Sequence, residues 1–327
     1  MSRYPDNQPD TKGSELPVVD AVIVPRAKDL GGFSVRRALP AAERRSIGAF
    51  IFLDHFGPAE FPAGSGIDVR PHPHIGLATV TYLFEGRIIH RDSLGSVQPI
   101  TPGDVNWMTA GRGIVHSERS DDADRLRART MHGLQLWVAL PRNYEEMAPG
   151  FAHYEAAALP VAEFGGATIR VIAGAAFGLR SPVNALSELF FADVTLPAGR
   201  PLVLDADYDE RAVYIVEGEI AIRNTVFPAG RLVAFHPGSR AVITAATESR
   251  LAFLGGAPLD GPRHLWWNFV SSSKDRIEQS RLGARPVRPL GAGRRRVHST
   301  AGVGGLCRTP IPPAGRVVGT KNAARNR

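Results

Sequence analysis

The hydrophobic positions of this chain fall in short runs, rich in β-branched and aromatic residues and bounded by Gly, Pro, Asn and Asp. Sustained helical spacing is almost absent, which predicts strands joined by tight turns and an all-β fold. The first half reads as strands at Val18–Val24, Leu30–Arg37 and Ala49–Leu53, then Gly76–Phe84, Ile88–Asp92, Asp104–Met108 and His132–Leu140. Residues 120–129 are charged and loop-like, and Arg142–Met147 has room for one short helical turn. After a Pro- and Gly-punctuated connection carrying one strand, Thr168–Ala173, a second set follows. Its runs are Leu189–Leu196, Pro201–Leu204, Ala212–Val216, Ile220–Val226, Leu232–Phe235, Ala241–Ala245 and Leu251–Leu254.

The second set repeats the first. Residues 80–92 lie over residues 212–224 at an offset of 132, sharing the Glu85-Gly86 and Glu217-Gly218 turn, and Gly103 and Gly111 match Gly230 and Gly238 at an offset of 127. Two copies of one β unit predict two stacked β-barrels whose turn glycines close the strands. The expected division is a flexible N-terminus over 1–17, one barrel over 18–145, a second over 146–280 with a terminal helix, and a basic tail over 281–327.

The net charge of +7 is unevenly placed. Residues 281–327 hold ten Arg, one Lys and no acidic residue, so residues 1–280 carry a net −4. A slightly acidic body is not a groove built to follow phosphates, and no nucleic-acid partner is expected. The tail is rich in Gly, Pro, Arg and Ala, which predicts disorder. Its abrupt composition reads as a shifted reading frame, with a basic interaction arm as the rival reading. No run reaches the roughly 18 apolar residues of a membrane span, so a cytoplasmic protein is expected, taken as a monomer. The lone Cys307 excludes an internal disulfide and thiolate chemistry in the main body.

Chemistry concentrates between Gly66 and Arg119. His72 and His74 form one i, i+2 pair, and His116 and Glu118 form another. In a strand, i and i+2 share a face, so two facing strands would converge four ligands. Three imidazoles and a carboxylate suit Fe(II), Mn(II), Ni(II), Cu(II) or Zn(II) and serve Ca(II) or Mg(II) poorly. His55, beside Asp54, reads as a hydrogen-bonded structural residue, with a fifth-ligand role as the alternative. His90, flanked by charges, reads as a surface or supporting residue, and the solitary His236 as structural. At the repeat offsets the ligand positions become Leu204, Ala206, Ile243 and Ala245 or their near neighbours, so the second barrel is expected to be metal-free.

The spacing Gly66-x5-His72-x-His74-x4-Thr79-x6-Gly86 resembles the first cupin motif, with Thr79 where most cupins carry a ligating Glu. Gly103 to His116 follows the second motif, and Glu118 supplies the missing carboxylate. Together with Trp266-Trp267-Asn268-Phe269-Val270-Ser271-Ser272-Ser273, these residues resemble the pirin family over about residues 18–280. The resemblance implies a bicupin with one Fe(II) in the N-terminal barrel, bound by His72, His74, His116 and Glu118. It also implies quercetin 2,3-dioxygenase activity, the ring-opening of a flavonol by dioxygen with release of carbon monoxide. Glu118 would then be the catalytic base, and Trp107, Met108 and Phe52 are taken as apolar walls. The alternative is a non-catalytic, iron-binding redox sensor that engages a protein partner.

Overall fold

The computed structural model describes residues 17–30 and 32–283. Residues 1–16 and 284–327, on which the expectations of terminal flexibility, tail disorder and a shifted frame rest, lie outside the described residues. No described helix is long and apolar enough to cross a membrane.

Among the described residues the regular structure is mostly antiparallel strand. In the first half a seven-stranded sheet runs, edge to edge, Gly150–Tyr154, Val105–Thr109, Leu77–Glu85, Arg129–Ala139, Phe50–Phe61, Ser34–Leu39 and Arg26–Asp29. A four-stranded sheet accompanies it in the order Asp68–His74, Ile114–Arg119, Ile88–Asp92 and Val97–Ile100. The second half repeats this plan, with one extra short strand, Leu179–Arg180, beside Ala167–Ala176. Its long path is Val19–Ile23, Leu232–Phe235, Glu210–Glu217, Ser249–Gly256, Leu189–Leu196, Ala167–Ala176 and Val161–Phe164; its small sheet is Pro201–Leu204, Ala241–Ala245, Glu219–Ile222 and Thr225–Pro228. The hairpin His264–Trp266 and Phe269–Ser271 and the helix Lys274–Gly283 follow.

Two strands cross the boundaries read from the pattern. Val19–Ile23, expected to open the first barrel, pairs instead with Leu232–Phe235 of the second. Gly150–Tyr154, placed beyond residue 145, pairs with Val105–Thr109 and completes the first. These two strands occupy equivalent edges, and an apolar strand pattern fixes which residues are buried without fixing which edge they join.

Burial on both faces explains why the long strands alternate poorly in sequence. Along Leu77–Glu85 the first seven residues are all buried. Ala78, Val80 and Tyr82 join Leu134, Leu136 and Val138 in a core shared with Phe191, Ala212, Tyr214 and Leu254 of the other half. The opposite face, with Thr79 and Thr81, turns to the barrel interior. The second barrel's interior is filled by residues such as Leu202, Ile215, Ile243 and Phe253. The pairing also corrects the repeat alignment. Ile243 lies opposite Leu202 and Ala241 opposite Leu204, as His116 lies opposite His72 and Ile114 opposite His74. The counterparts of His72 and His74 are thus Leu202 and Leu204, and Ala206 falls beyond the strand. The offset of 132, set by the strand that follows, missed this because the loop after Leu204 is longer than the loop after His74.

Candidate metal centre

Asp68–His74 and Ile114–Arg119 are antiparallel neighbours in the small sheet, with His72 directly opposite His116. A register shift between His116 and Glu118 puts Glu118 opposite Val69, an extra residue on the Asp68–His74 strand before His72 that leaves each i, i+2 pair on one face of its own strand. The three imidazole rings lie 4.4 Å (His72–His116), 4.8 Å (His72–His74) and 5.0 Å (His74–His116) apart, centre to centre. The Nε2 atoms of His74 and His116 approach to 3.1 Å. One nitrogen from each of the three rings falls within 4.8 Å of the others, and His90, His116 and Glu118 form a second such group. Glu118 is turned toward Thr81, whose Oγ1–H donates to Oε1 at 2.6 Å.

The other ring nitrogens are all engaged. His72 Nδ1 lies 2.8 Å from the Arg70 carbonyl, and His74 Nδ1 lies 3.2 Å from the Asn268 carbonyl. A carbonyl only accepts, so both rings carry their proton on Nδ1 and leave Nε2 bare. His74 and His116 are buried, and burial holds both well below the ordinary imidazole pKa, with repulsion from His72 adding to it. His72 is lowered too, chiefly by burial, against the opposing pull of the Arg70 carbonyl and Glu118. Neutral imidazoles beside a carboxylate are the form in which a divalent transition ion is bound, and the cluster could hold one.

The hairpin of the second half reaches this site by backbone. Val270 N–H donates to the Ile75 carbonyl at 3.2 Å. Gly76 (φ +65°) admits the approach, since a Cβ there would sit 2.0 Å from the Val270 oxygen. The chain therefore needs glycine here on both counts.

Around the cluster the walls differ from the expected set. Phe52 and Met108 do line the same apolar patch, together with Trp137. Trp107 does not; it faces the other way, into the core shared by the two barrels. Its place is taken by Trp137, which stacks on Phe52 at 4.0 Å and 11° and stands edge-on to His74 at 5.2 Å. Arg37 covers the far side of Phe52 at 4.4 Å and is held by both oxygens of Asp54. Strand parity was the available signal, because Trp137 shares a face with Gln135, which reaches Thr81 at 3.0 Å.

His55 and His90 resolve in different directions. His55 points out of the barrel interior: its Nε2 meets His132 Nε2 at 2.7 Å, and its Nδ1 meets the Tyr214 hydroxyl of the second half at 2.9 Å. It is a hydrogen-bonded structural residue. His90 is buried rather than at the surface, with Nδ1 3.4 Å from His116 Nδ1 and Nε2 3.0 Å from Asp92 Oδ2. Phe151, on the strand that crosses the expected boundary, stacks on it at 4.2 Å. Burial alone would raise the Asp92 carboxyl, but His90 and the amides of Ser96 and Leu94 outweigh it and hold the pKa below the usual range.

Comparison with known proteins agrees with this architecture. The pirin family model matches residues 32–138, and the model of the pirin C-terminal cupin domain matches residues 191–282. A pirin-like protein of Caulobacter vibrioides is 50% identical over 267 residues, spanning 81% of this chain and 92% of its own. A Pseudomonas aeruginosa protein provisionally named a quercetin 2,3-dioxygenase is 40% identical over 79% of this chain and 81% of its own. The crystal structure of quercetin 2,3-dioxygenase from Acinetobacter baumannii superposes with a TM-score of 0.76 at 35% identity, covering 84% of this chain and 97% of that one. With both cupin halves matched and 50% identity to a pirin-like protein over 267 residues, the chain belongs to the pirin family.

Proposed function

We propose that this chain is a metal-dependent dioxygenase that opens the heterocycle of a flavonol such as quercetin, with His72, His74, His116 and Glu118 as the ligands of one Fe(II). The observation that carries the reading is the convergence of imidazole nitrogens whose opposite ring positions are already committed to acceptors. The likeness to a quercetin 2,3-dioxygenase of Acinetobacter baumannii supports the substrate class. When bound, a divalent ion of this donor set supplies Lewis acidity toward an enolic oxygen and open positions for substrate and dioxygen.

The chain's own residues do the rest. The three histidines fix the site's position, because each ring is held by a hydrogen bond on the side away from it. Glu118 has Oε1 occupied by Thr81, so Oε2 is both its ligating atom and its basic one, and it would give up its hold on the ion as it took the proton of the substrate's 3-hydroxyl. Trp137, Phe52 and Met108 form an apolar wall beside His74, which orients a flat aromatic ligand and keeps water from the reacting face. The overall change consumes one dioxygen and releases one carbon monoxide per flavonol opened.

The test is metal analysis of protein purified without chelator, then anaerobic Fe(II) loading and measurement of oxygen uptake with quercetin. About one metal per chain with quercetin-dependent uptake is expected; metal without turnover would refute the dioxygenase reading. One observation favours a second reading, a metal-responsive binding protein. Asn268, whose carbonyl faces His74, follows the exposed Trp266 and Trp267 in sequence, so the site and a surface aromatic pair share one hairpin. Binding of a protein partner that differs between the two iron oxidation states would favour that role.

A further inference from the structure

The three candidate histidine ligands are not oriented alike. His72 and His74 each meet a backbone carbonyl, whereas His116 meets another histidine. Its strand is central in the small sheet, flanked on both sides, so the neighbouring backbone groups are committed to the ladder. A side chain must supply the acceptor instead.

That acceptor is set from two residues further along. Asp92 Oδ1 receives the amides of Leu94 at 2.8 Å and Ser96 at 3.1 Å, which pin the carboxylate to the turn after its strand. Its Oδ2 faces His90 Nε2 at 3.0 Å. A carboxylate only accepts, so His90 carries its proton on Nε2 and presents a bare Nδ1. The bare Nδ1 faces His116 Nδ1 at 3.4 Å, which requires His116 to carry its proton there and to leave Nε2 free beside His74 Nε2. Phe151 stacked on His90 keeps the ring in plane for both contacts.

We infer that Asp92 and His90 are positioning residues for the metal site, forming a carboxylate–histidine relay that fixes the tautomer of His116. This rests on the metal-site reading above. Its distinguishing feature is that a histidine can reverse its donor and acceptor ends where a carbonyl cannot, so His116 alone depends on a side chain two steps removed. In Asp92→Asn the side-chain oxygen stays with the amides of Leu94 and Ser96, which turns the NH2 toward His90 Nε2 as a donor. His90 then carries its proton on Nδ1 and donates it to His116, whose own proton moves to Nε2, where it blocks binding. Outer partners of metal-bound histidines are typically worth roughly 10–100-fold in affinity.

The experiment uses the full chain and two readouts that do not involve turnover. Long-range 1H–15N correlations on metal-free protein report the tautomer of each histidine, and competition with a chromophoric chelator gives the Ni(II) affinity. Wild type should show His116 protonated on Nδ1. Asp92→Asn should show His116 protonated on Nε2 and bind Ni(II) roughly 10–100-fold more weakly. His90→Asn, whose amide oxygen overlays the imidazole Nδ1 position, should bind more tightly than His90→Ala. A His116 protonated on Nε2 in wild type, or equal Ni(II) affinity in wild type and Asp92→Asn, would overturn the relay. His74→Ala separates the two levels: Ni(II) affinity unchanged in that variant would refute the metal site itself, and with it the relay's purpose.

Discussion

Acid should weaken the fold through the joint between the two barrels. His55 and His132 sit in that joint with Tyr214 and Arg36, their Nε2 atoms 2.7 Å apart. Burial lowers His55 to about 2, helped by Arg36 and His132, and lowers His132 to about 4, helped by Arg250 and Arg36. Both start from 6.5 in the unfolded chain. Above pH 6.5 neither state binds the proton and nothing is lost. Below it the unfolded chain takes up protons that the folded protein refuses, so stability falls with pH until about 4 for His132 and about 2 for His55. One unit is worth about 1.4 kcal/mol, so each ring costs about 2 kcal/mol at pH 5, or about 4 kcal/mol together. The assay is urea unfolding of metal-free protein at pH 7 and pH 5, for wild type and for His55→Gln/His132→Gln. Glutamine places an amide atom near the Nε2 position and keeps a hydrogen bond without the titration, while the remaining histidines contribute equally to both proteins. Wild type should lose about 4 kcal/mol more than the double variant over this interval. Equal losses would refute the argument.

Other perturbations test single contacts. His74→Ala should empty the candidate centre while the protein stays folded, because the barrels rest on their apolar cores; metal content by elemental analysis, together with the near-UV dichroism, checks both halves of that statement. Glu118→Gln should retain much of the metal and lose most quercetin-dependent oxygen uptake, and wild-type turnover would remove it as the base. Arg250→Met should cost about 3 kcal/mol in urea unfolding, since it strips Asp193 of a two-point ion pair at 3.0 and 2.6 Å and uncovers the Phe84 ring, leaving a nearly buried carboxylate.

Much of this was legible in the chain because periodicity and chemistry coincided there. The i, i+2 pairs announced a shared face, and the strands carrying them are neighbours in register. The turn glycines marked the repeat, and Gly86 and Gly218 do adopt positive φ at equivalent hairpins. What stayed hidden depended on pairing partners. Trp107 and Met108 are adjacent in sequence and face opposite sides, yet both sides are apolar, so hydropathy could not say which faced the site. His90 looked exposed because Arg91 and Asp92 flank it. Its own strand parity, shared with the buried Ile88, places it inside, and Asp92 turns inward with it. The Asn268 carbonyl had no signal at all, since a backbone acceptor from 194 residues away leaves no mark on composition.

The exchanged edge strands bear on where the halves can be cut. Val19–Ile23 precedes the first barrel in sequence but belongs to the second, laying Ile23 into the shared core and pairing Ile23, Val22 and Ala21 with Leu232, Val233 and Ala234. Deleting residues 1–24 should therefore leave the candidate metal cluster intact and uncover the edge of Leu232–Phe235. Burial of Ile23 alone is worth roughly 1.5–3 kcal/mol, and the unpaired ladder groups add to the loss. Hydrogen exchange read by mass spectrometry separates the two halves: protection should fall in peptides spanning 232–235 and persist in those spanning 50–61, while Ni(II) affinity stays within a few-fold of wild type. If protection were lost instead from 105–109 or from the strands of the small sheet bearing His72 and His116, the N-terminal strand would be supporting the first barrel after all. The division at residue 18 read from the hydrophobic pattern would then be the better description of how the chain is built.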